Sequence, residues 1–327
     1  MKAILIDEPG DESCMKLGET DPPSLEPGSI RIRNHASGIN RADLLQRQGL
    51  YPPPHGASPI LGLECAGEVA EVAEGVTSFS PGDRVMALLG GGGYAEEVVV
   101  DAGSVIRLPD ALSFEEGAGL TETLLTVFLN VFQLGGLRDG DSVLVHGGGS
   151  GIGTTTIDLV KRAGGRVIAT AGSDEKCQRC LDLGADAVAN YKTEDWVEVV
   201  KAATDGQGVD VVLDSIGGPY LEGNMKSLAT DGALVLIGLM GGAKAEIPLG
   251  LLLMRRLRVV GSTLRTRSLE QKAGIVSDFL ARFGQDLEKG EIRPVLHRVF
   301  DLADAPEAHR LIKASTHFGK VVLRVRP

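Results

Sequence analysis

The chain has 327 residues, 43% of them hydrophobic, with 33 basic and 44 acidic side chains and a formal charge of −11. That composition excludes a disordered chain, and its acidic balance argues against a nucleic-acid face. No apolar run is long enough to span a membrane, and Asp7, Glu8 and Pro9 come too early for a secretory leader, so a cytoplasmic globular protein of two domains is expected.

The N-terminal residues read as a first strand. Short strand patterns follow at 29–34, 67–72, 84–87 and 96–100, separated by turns such as Glu26-Pro27-Gly28 and Ser80-Pro81-Gly82-Asp83. That rhythm predicts an irregular, barrel-like β-domain. From about Glu115 the pattern changes to alternating strands and helices. Strands are expected at 143–145, 167–170, 209–213, 233–237 and 259–262, with helices at 154–163, 175–183, 196–203, 219–228 and 249–255. Such alternation predicts a parallel sheet covered on both faces, a doubly wound α/β fold. Two further helices, at 269–289 and 303–315, precede a closing strand at 320–326, which is expected to return to the first domain.

The segment from Ser142 to Thr156 is a strand, a glycine-dense turn and a helix start. Glycines there let the backbone approach a dinucleotide pyrophosphate, and the helix offers its free N–H groups. Gly148, Gly151 and Gly153 fill three key places, while Ser150 stands where the strict fingerprint has its second glycine. Thr154 after Gly153 excludes a P-loop, which needs lysine there.

Strands that bind NAD end in an acidic residue for the ribose hydroxyls. Here the second strand ends in Thr170-Ala171-Gly172-Ser173, all uncharged, with Lys176 one helical turn on and Tyr191 after the third strand. A cation and a phenol suit a 2′-phosphate, so NADPH is favoured over NADH. A solvated Lys176 and a ribose-facing Asp174 are the rival readings. Of the four cysteines, Cys14, Cys65, Cys177 and Cys180, the last two have redox-motif spacing, although a helical pair of this kind is more often inert.

Seven segments together carry a resemblance. They are Ser37-Gly38-Ile39-Asn40-Arg41-Ala42-Asp43, Gly49-Leu50-Tyr51-Pro52, Gly62-Leu63-Glu64-Cys65-Ala66-Gly67, Gly82-Asp83-Arg84-Val85, the glycine turn, Leu183-Gly184-Ala185-Asp186 with Asn190-Tyr191, and Phe318-Gly319-Lys320. In this order the chain resembles the zinc-free quinone oxidoreductase (zeta-crystallin-like) branch of the medium-chain dehydrogenase/reductase superfamily. The resemblance implies a GroES-like catalytic domain from 1–118 and 263–327 around a Rossmann domain at 119–262. It also implies a cofactor in the cleft between them and homodimers through the nucleotide domains. Zinc-dependent members have a cysteine and a histidine where Asn40 and Leu63 stand here, so no metal is expected.

By the same resemblance Asn40 and Asp43 lie near the nicotinamide and hydrogen-bond the acceptor oxygen, while Tyr51 lines the pocket. The cofactor would meet Thr126, Gly148, Ser150, Gly151, Ile152, Gly153, Gly172, Ser173, Lys176, Tyr191, Gly238, Leu239, Leu264, Arg265, Phe318 and Lys320. For each there is a plainer use. Asp43 would N-cap a helix starting at Leu44, Glu64 would pair with an arginine, and Arg265 and Lys320 would form ion pairs. The expected reaction is metal-independent hydride transfer from NADPH to a quinone. Reduction of alkenals or enones, or nucleotide binding without turnover, are the alternatives.

Overall fold

A computed structural model describes residues 1–326. The chain forms two compact units, one from residues 1–125 with the segment from Arg265 onward, the other Thr126–Leu264.

The first unit is built on the ten-residue strand Ser29–Gly38. Its inward residues Ile30, Ile32 and Ala36 alternate with outward ones and are fully buried, which is the period-two pattern of a half-covered strand. One edge pairs antiparallel with Glu64–Val72, and beyond that lie Arg84–Leu88 and Val105–Arg107. Two strands share the other edge in succession. Glu97–Asp101 pairs with residues 29–33, and the C-terminal strand Lys320–Arg324 pairs with 36–38. Leu296–Asp301, a strand the sequence reading missed, pairs parallel with Lys320–Arg324.

The second unit is a six-stranded, wholly parallel sheet. Numbered within the unit, the strands are Ser142–His146, Arg166–Ala171, Ala187–Asn190, Val209–Asp214, Leu228–Leu236 and Arg258–Gly261, in the order 3-2-1-4-5-6. The order reverses between the first and fourth strands, and ligands of such sheets bind at the carboxyl ends of that switch point. The central strands are continuous apolar runs because helices cover both faces: Val143, Leu144, Val145, Val211, Val212 and Leu213 are all at most 1% exposed. The unit opens with a feature no periodicity announced. The helix Thr121–Val127 runs on as a π-helix, Phe128–Leu134, in which Gly135 N–H bonds Asn130 O five residues back.

Candidate active site and cofactor site

The first strand of the parallel sheet ends at His146, and the chain turns through Gly147 at φ +74° into the helix Gly151–Arg162. Ser150 is its N-cap, accepting from Gly153 N–H at 3.0 Å. Gly151 and Ile152 open the first turn, where N–H groups have no helical carbonyl to bond. A Cβ on Gly153 would lie 2.5 Å from Gly148 Cα, and one on Gly148 2.9 Å from both Ala169 Cβ and Cys180 Sγ. The turn is thus folded tightly enough that only glycine fits, which suits a backbone cradle for a pyrophosphate.

The second strand ends at Ala171, and Ser173 caps the helix Asp174–Asp182 by accepting from Lys176 N–H at 3.3 Å. The Tyr191 ring lies against Gly172, where an added Cβ would meet its hydroxyl at 2.6 Å. Asp174, the rival for the ribose, instead accepts from Asn190 Nδ2 at 2.6 Å. Burial lowers the Lys176 pKa, and the neighbouring charges of Lys192 and Arg179 lower it further against Glu175. Lys192 and Arg179 add positive charge around Lys176, and Glu175, Asp174 and Glu194 add negative charge around the same turn. The Cys177 thiol is raised by burial and that of Cys180 is pushed up to about 12, so both stay protonated and unreactive at neutral pH.

Sequence reasoning missed a network beneath the turn. His146 Nε2 meets Asn224 Oδ1 at 2.7 Å, and Asn224 Nδ2 donates to Asp214 Oδ2 at 3.0 Å. Asp214 also accepts from the N–H groups of Ile216 and Gly217. Since Asn224 gives its N–H to a carboxylate, its oxygen faces His146, whose Nε2 carries the proton. Burial pushes His146 down to about 4, so the ring is neutral. Trp196 and Tyr220 pack edge-on against it, 4.8 and 4.7 Å between ring centroids. Together these groups fix the ends of the first and fourth strands. Gly238 and Leu239 follow the fifth strand in a loop anchored by a bridge between Gly217 and Gly242, and Leu239 is exposed. Thr126 and Leu264 are buried at the two ends of this unit.

In the first unit, Asn40 and Asp43 belong to the helix Arg41–Arg47. The cap is Asn40 rather than Asp43. Asp43 sits at the third helical position and accepts from Asn40 N–H at 2.7 Å and from Gly62 N–H at 3.0 Å. Asp43 is fully buried, and burial raises its carboxyl to about 6. With both oxygens so engaged and no exposed surface, this carboxylate holds the Gly62 turn and the helix entry. Behind it Tyr94, whose phenol is raised by burial and by the nearby Asp43 carboxylate, meets His309 Nε2 at 2.9 Å, and His309 Nδ1 lies 3.4 Å from Arg47 Nη1. Arg47 is paired with Glu12.

Glu64 is paired with a lysine, not the expected arginine. Lys320 Nζ donates to Glu64 Oε1 at 2.6 Å, Asn40 Oδ1 at 2.8 Å and Ile39 O at 3.1 Å. With three bonds made and 4% exposure, Lys320 has no hydrogen left for a cofactor. Arg265 likewise donates to Gly90 O, Tyr51 O and Gln46 Oε1, with its guanidinium 5.2 Å from the Tyr51 ring centroid. It braces the loop that carries Tyr51. Phe318 is 2% exposed and serves the core. Asn40 and Tyr51 are only partly buried, so of the three expected catalytic residues these two present surface.

Residues 26–110 match the family of alcohol dehydrogenase GroES-like domains, and residues 151–281 match the zinc-binding dehydrogenase family. Quinone oxidoreductase-like protein 2 of Bos taurus is 32% identical over 311 residues, which covers 95% of this chain and 89% of the bovine one. The chain belongs to the medium-chain dehydrogenase/reductase superfamily, in its zinc-free quinone oxidoreductase branch. Solved members superpose over nearly the whole length. An NAD-dependent alcohol dehydrogenase is 34% identical with a TM-score of 0.87 and 100% of each chain covered. The Escherichia coli quinone oxidoreductase complexed with NADPH is 29% identical with a TM-score of 0.87, covering 99% of this chain and 100% of that one. The family's chemistry is oxidoreduction, and within it this chain puts an amide and an ammonium beside Glu64. A metal cation there would have to displace Lys320 from its carboxylate.

Proposed function

We propose that the protein is an NADPH-dependent reductase of quinones that transfers hydride without a metal. The observation that carries the cofactor choice is the end of the second strand, where Tyr191 lies against Gly172, Ser173 caps the helix that carries Lys176, and Asp174 is engaged by Asn190. Solved relatives are named with NAD in one case and NADPH in another, so this chain's own residues must decide. In this reading the pyrophosphate rests on Gly148, Ser150, Gly151, Ile152 and Gly153. The 2′-phosphate is held by Gly172, Ser173, Lys176 and Tyr191, and the nicotinamide end meets Thr126, Gly238 and Leu239.

When bound, the reduced nicotinamide supplies a hydride, which with one proton from solvent converts a quinone to hydroquinone and leaves NADP+. The chain's task is to place the acceptor and stabilise the negative charge that develops on its oxygen. Asn40 offers an amide N–H for that oxygen. Tyr51, whose phenol is held protonated by burial, offers an O–H or its ring face. Asp43 and Arg265 support these two from behind.

The partner is a small molecule, with no nucleic acid or membrane involved, and the assembly is a homodimer through the parallel-sheet unit. Supporting the dimer, the edge strand Arg258–Gly261 has no outer neighbour in the sheet among the described residues, and Leu249, Leu253, Met254 and Val259 are exposed nearby in sequence. The free thiols fit a cytoplasmic site of action.

The test is the double replacement Lys176→Ala with Tyr191→Phe. Charge-assisted bonds to phosphate contribute about 1.5–3 kcal/mol each, so losing two should raise KM for NADPH by at least about 100-fold while that for NADH changes little. Equal effects on both cofactors would reject the phosphate assignment. A panel of 1,2-naphthoquinone, 1,4-benzoquinone and 2-alkenals distinguishes a quinone reductase from an alkenal reductase, and NADPH binding without oxidation would mark a non-catalytic binder.

A further inference from the structure

The Asn40 amide has a fixed sense. Lys320 is an ammonium and only donates, so the Asn40 atom 2.8 Å from it is the carbonyl oxygen Oδ1. On the other side, Glu64 Oε1 accepts from Asn40 Nδ2 at 2.9 Å. The same Glu64 oxygen takes the Lys320 ammonium, and Oε2 accepts from Glu122 N–H at 2.8 Å, at the start of the helix Thr121–Val127. Both charges are buried, with side chains 5% and 0% exposed. Turning the amide over would set its N–H₂ against the ammonium and its oxygen against the carboxylate. One Nδ2 hydrogen goes to Glu64; the second has no acceptor among the described residues, and Asn40 is partly exposed.

We propose that Lys320 and Glu64 are positioning residues that lock the Asn40 amide so that it presents an N–H, never its C=O, to the acceptor. The site is thereby built for an acceptor carbonyl oxygen, in the ground state and as negative charge accumulates on it. This rests on the reading above that Asn40 faces the acceptor. The pair acts through Asn40, whereas its own polar atoms are all occupied.

A double-mutant cycle with Lys320→Met and Asn40→Ala tests it, with kcat, acceptor KM and NADPH Kd measured for each variant. Removing a donor at a developing oxyanion lowers kcat by about 100-fold, and loosening it should lower kcat by at least about tenfold. Lys320→Met should therefore lower kcat about tenfold in the native background and less than about twofold in Asn40→Ala, with NADPH Kd unchanged. Equal losses in both backgrounds would overturn the clamp. Asn40→Asp keeps an acceptor for Lys320 but has no N–H, and should lose kcat as Asn40→Ala does; retained kcat would refute the donor role even if Lys320→Met failed to fold. A readout free of turnover separates failure of the clamp from failure of the functional reading. With selectively 15N-labelled asparagine, the two Asn40 Nδ2 protons should be sharp and well separated in the native protein and broaden in Lys320→Met. An unchanged pair would overturn the clamp whatever the enzyme reduces.

Discussion

His146 makes the nucleotide-binding unit acid-sensitive by a calculable amount. Its pKa is lowered by burial from 6.5 to about 4, so the unfolded chain binds a proton in a range where the native state does not. The contribution is fully present above pH 6.5 and is lost as pH falls from there toward 4. Linkage with those two values gives a loss of about 2 kcal/mol between pH 7.5 and pH 5.0 at 25 °C. The single tryptophan, Trp196, packs on the His146 ring, so its fluorescence reports this unit. In urea titrations, the His146→Gln variant should lose less stability on acidification than the native protein, by about 2 kcal/mol, or about 1 M in the urea midpoint. The comparison cancels other titrating groups common to both proteins, such as Asp214, whose raised carboxyl changes stability in the opposite sense. Identical losses in the two proteins would show that His146 is not held neutral, and the network built on its Nε2 proton would fall with it.

Gly153→Ala would place a methyl 2.5 Å from Gly148 Cα and force the turn open, so we expect about 1–3 kcal/mol of destabilisation and at least about tenfold weaker NADPH binding by calorimetry. Native affinity in that variant would remove the turn from the cofactor site. Lysines at both Leu253 and Val259 should convert the proposed dimer to a monomer in light scattering while the far-UV circular dichroism stays native; an unchanged mass would place the contact elsewhere.

Most of the parallel sheet was legible because strands such as Val209–Asp214 are short, β-branched, apolar runs bounded by turn residues, and because its glycine turn admits little else; Ala187–Asn190, with a single β-branched residue, does not stand out by that pattern. The start of the helix Arg41–Arg47 was misplaced by three residues: Asn40 and Asp43 have cap and third-position spacing, which reads as a reciprocal cap once both are considered together. Other features lay beyond local pattern. Glu64 and Lys320 are 256 residues apart, and Tyr94 and His309 are 215 apart, so neither pair has a spacing to recognise. The π-helix Phe128–Leu134 follows from an i→i+5 bond at Gly135, which apolar periodicity does not encode.

Two strands from distant parts of the chain share one edge of Ser29–Gly38, and the later of them carries Lys320. During synthesis Glu64 leaves the ribosome 256 residues before its counter-ion. At ordinary elongation rates that is a delay of roughly 10 to 50 s, long enough for the intervening parallel sheet to form first. Until then the carboxylate beside Asn40 lacks the ammonium that Lys320 supplies. On the reading proposed for Asn40, competence for acceptor binding is therefore a late event in biogenesis, set by arrival of the strand Lys320–Arg324 and not by folding of the parallel sheet.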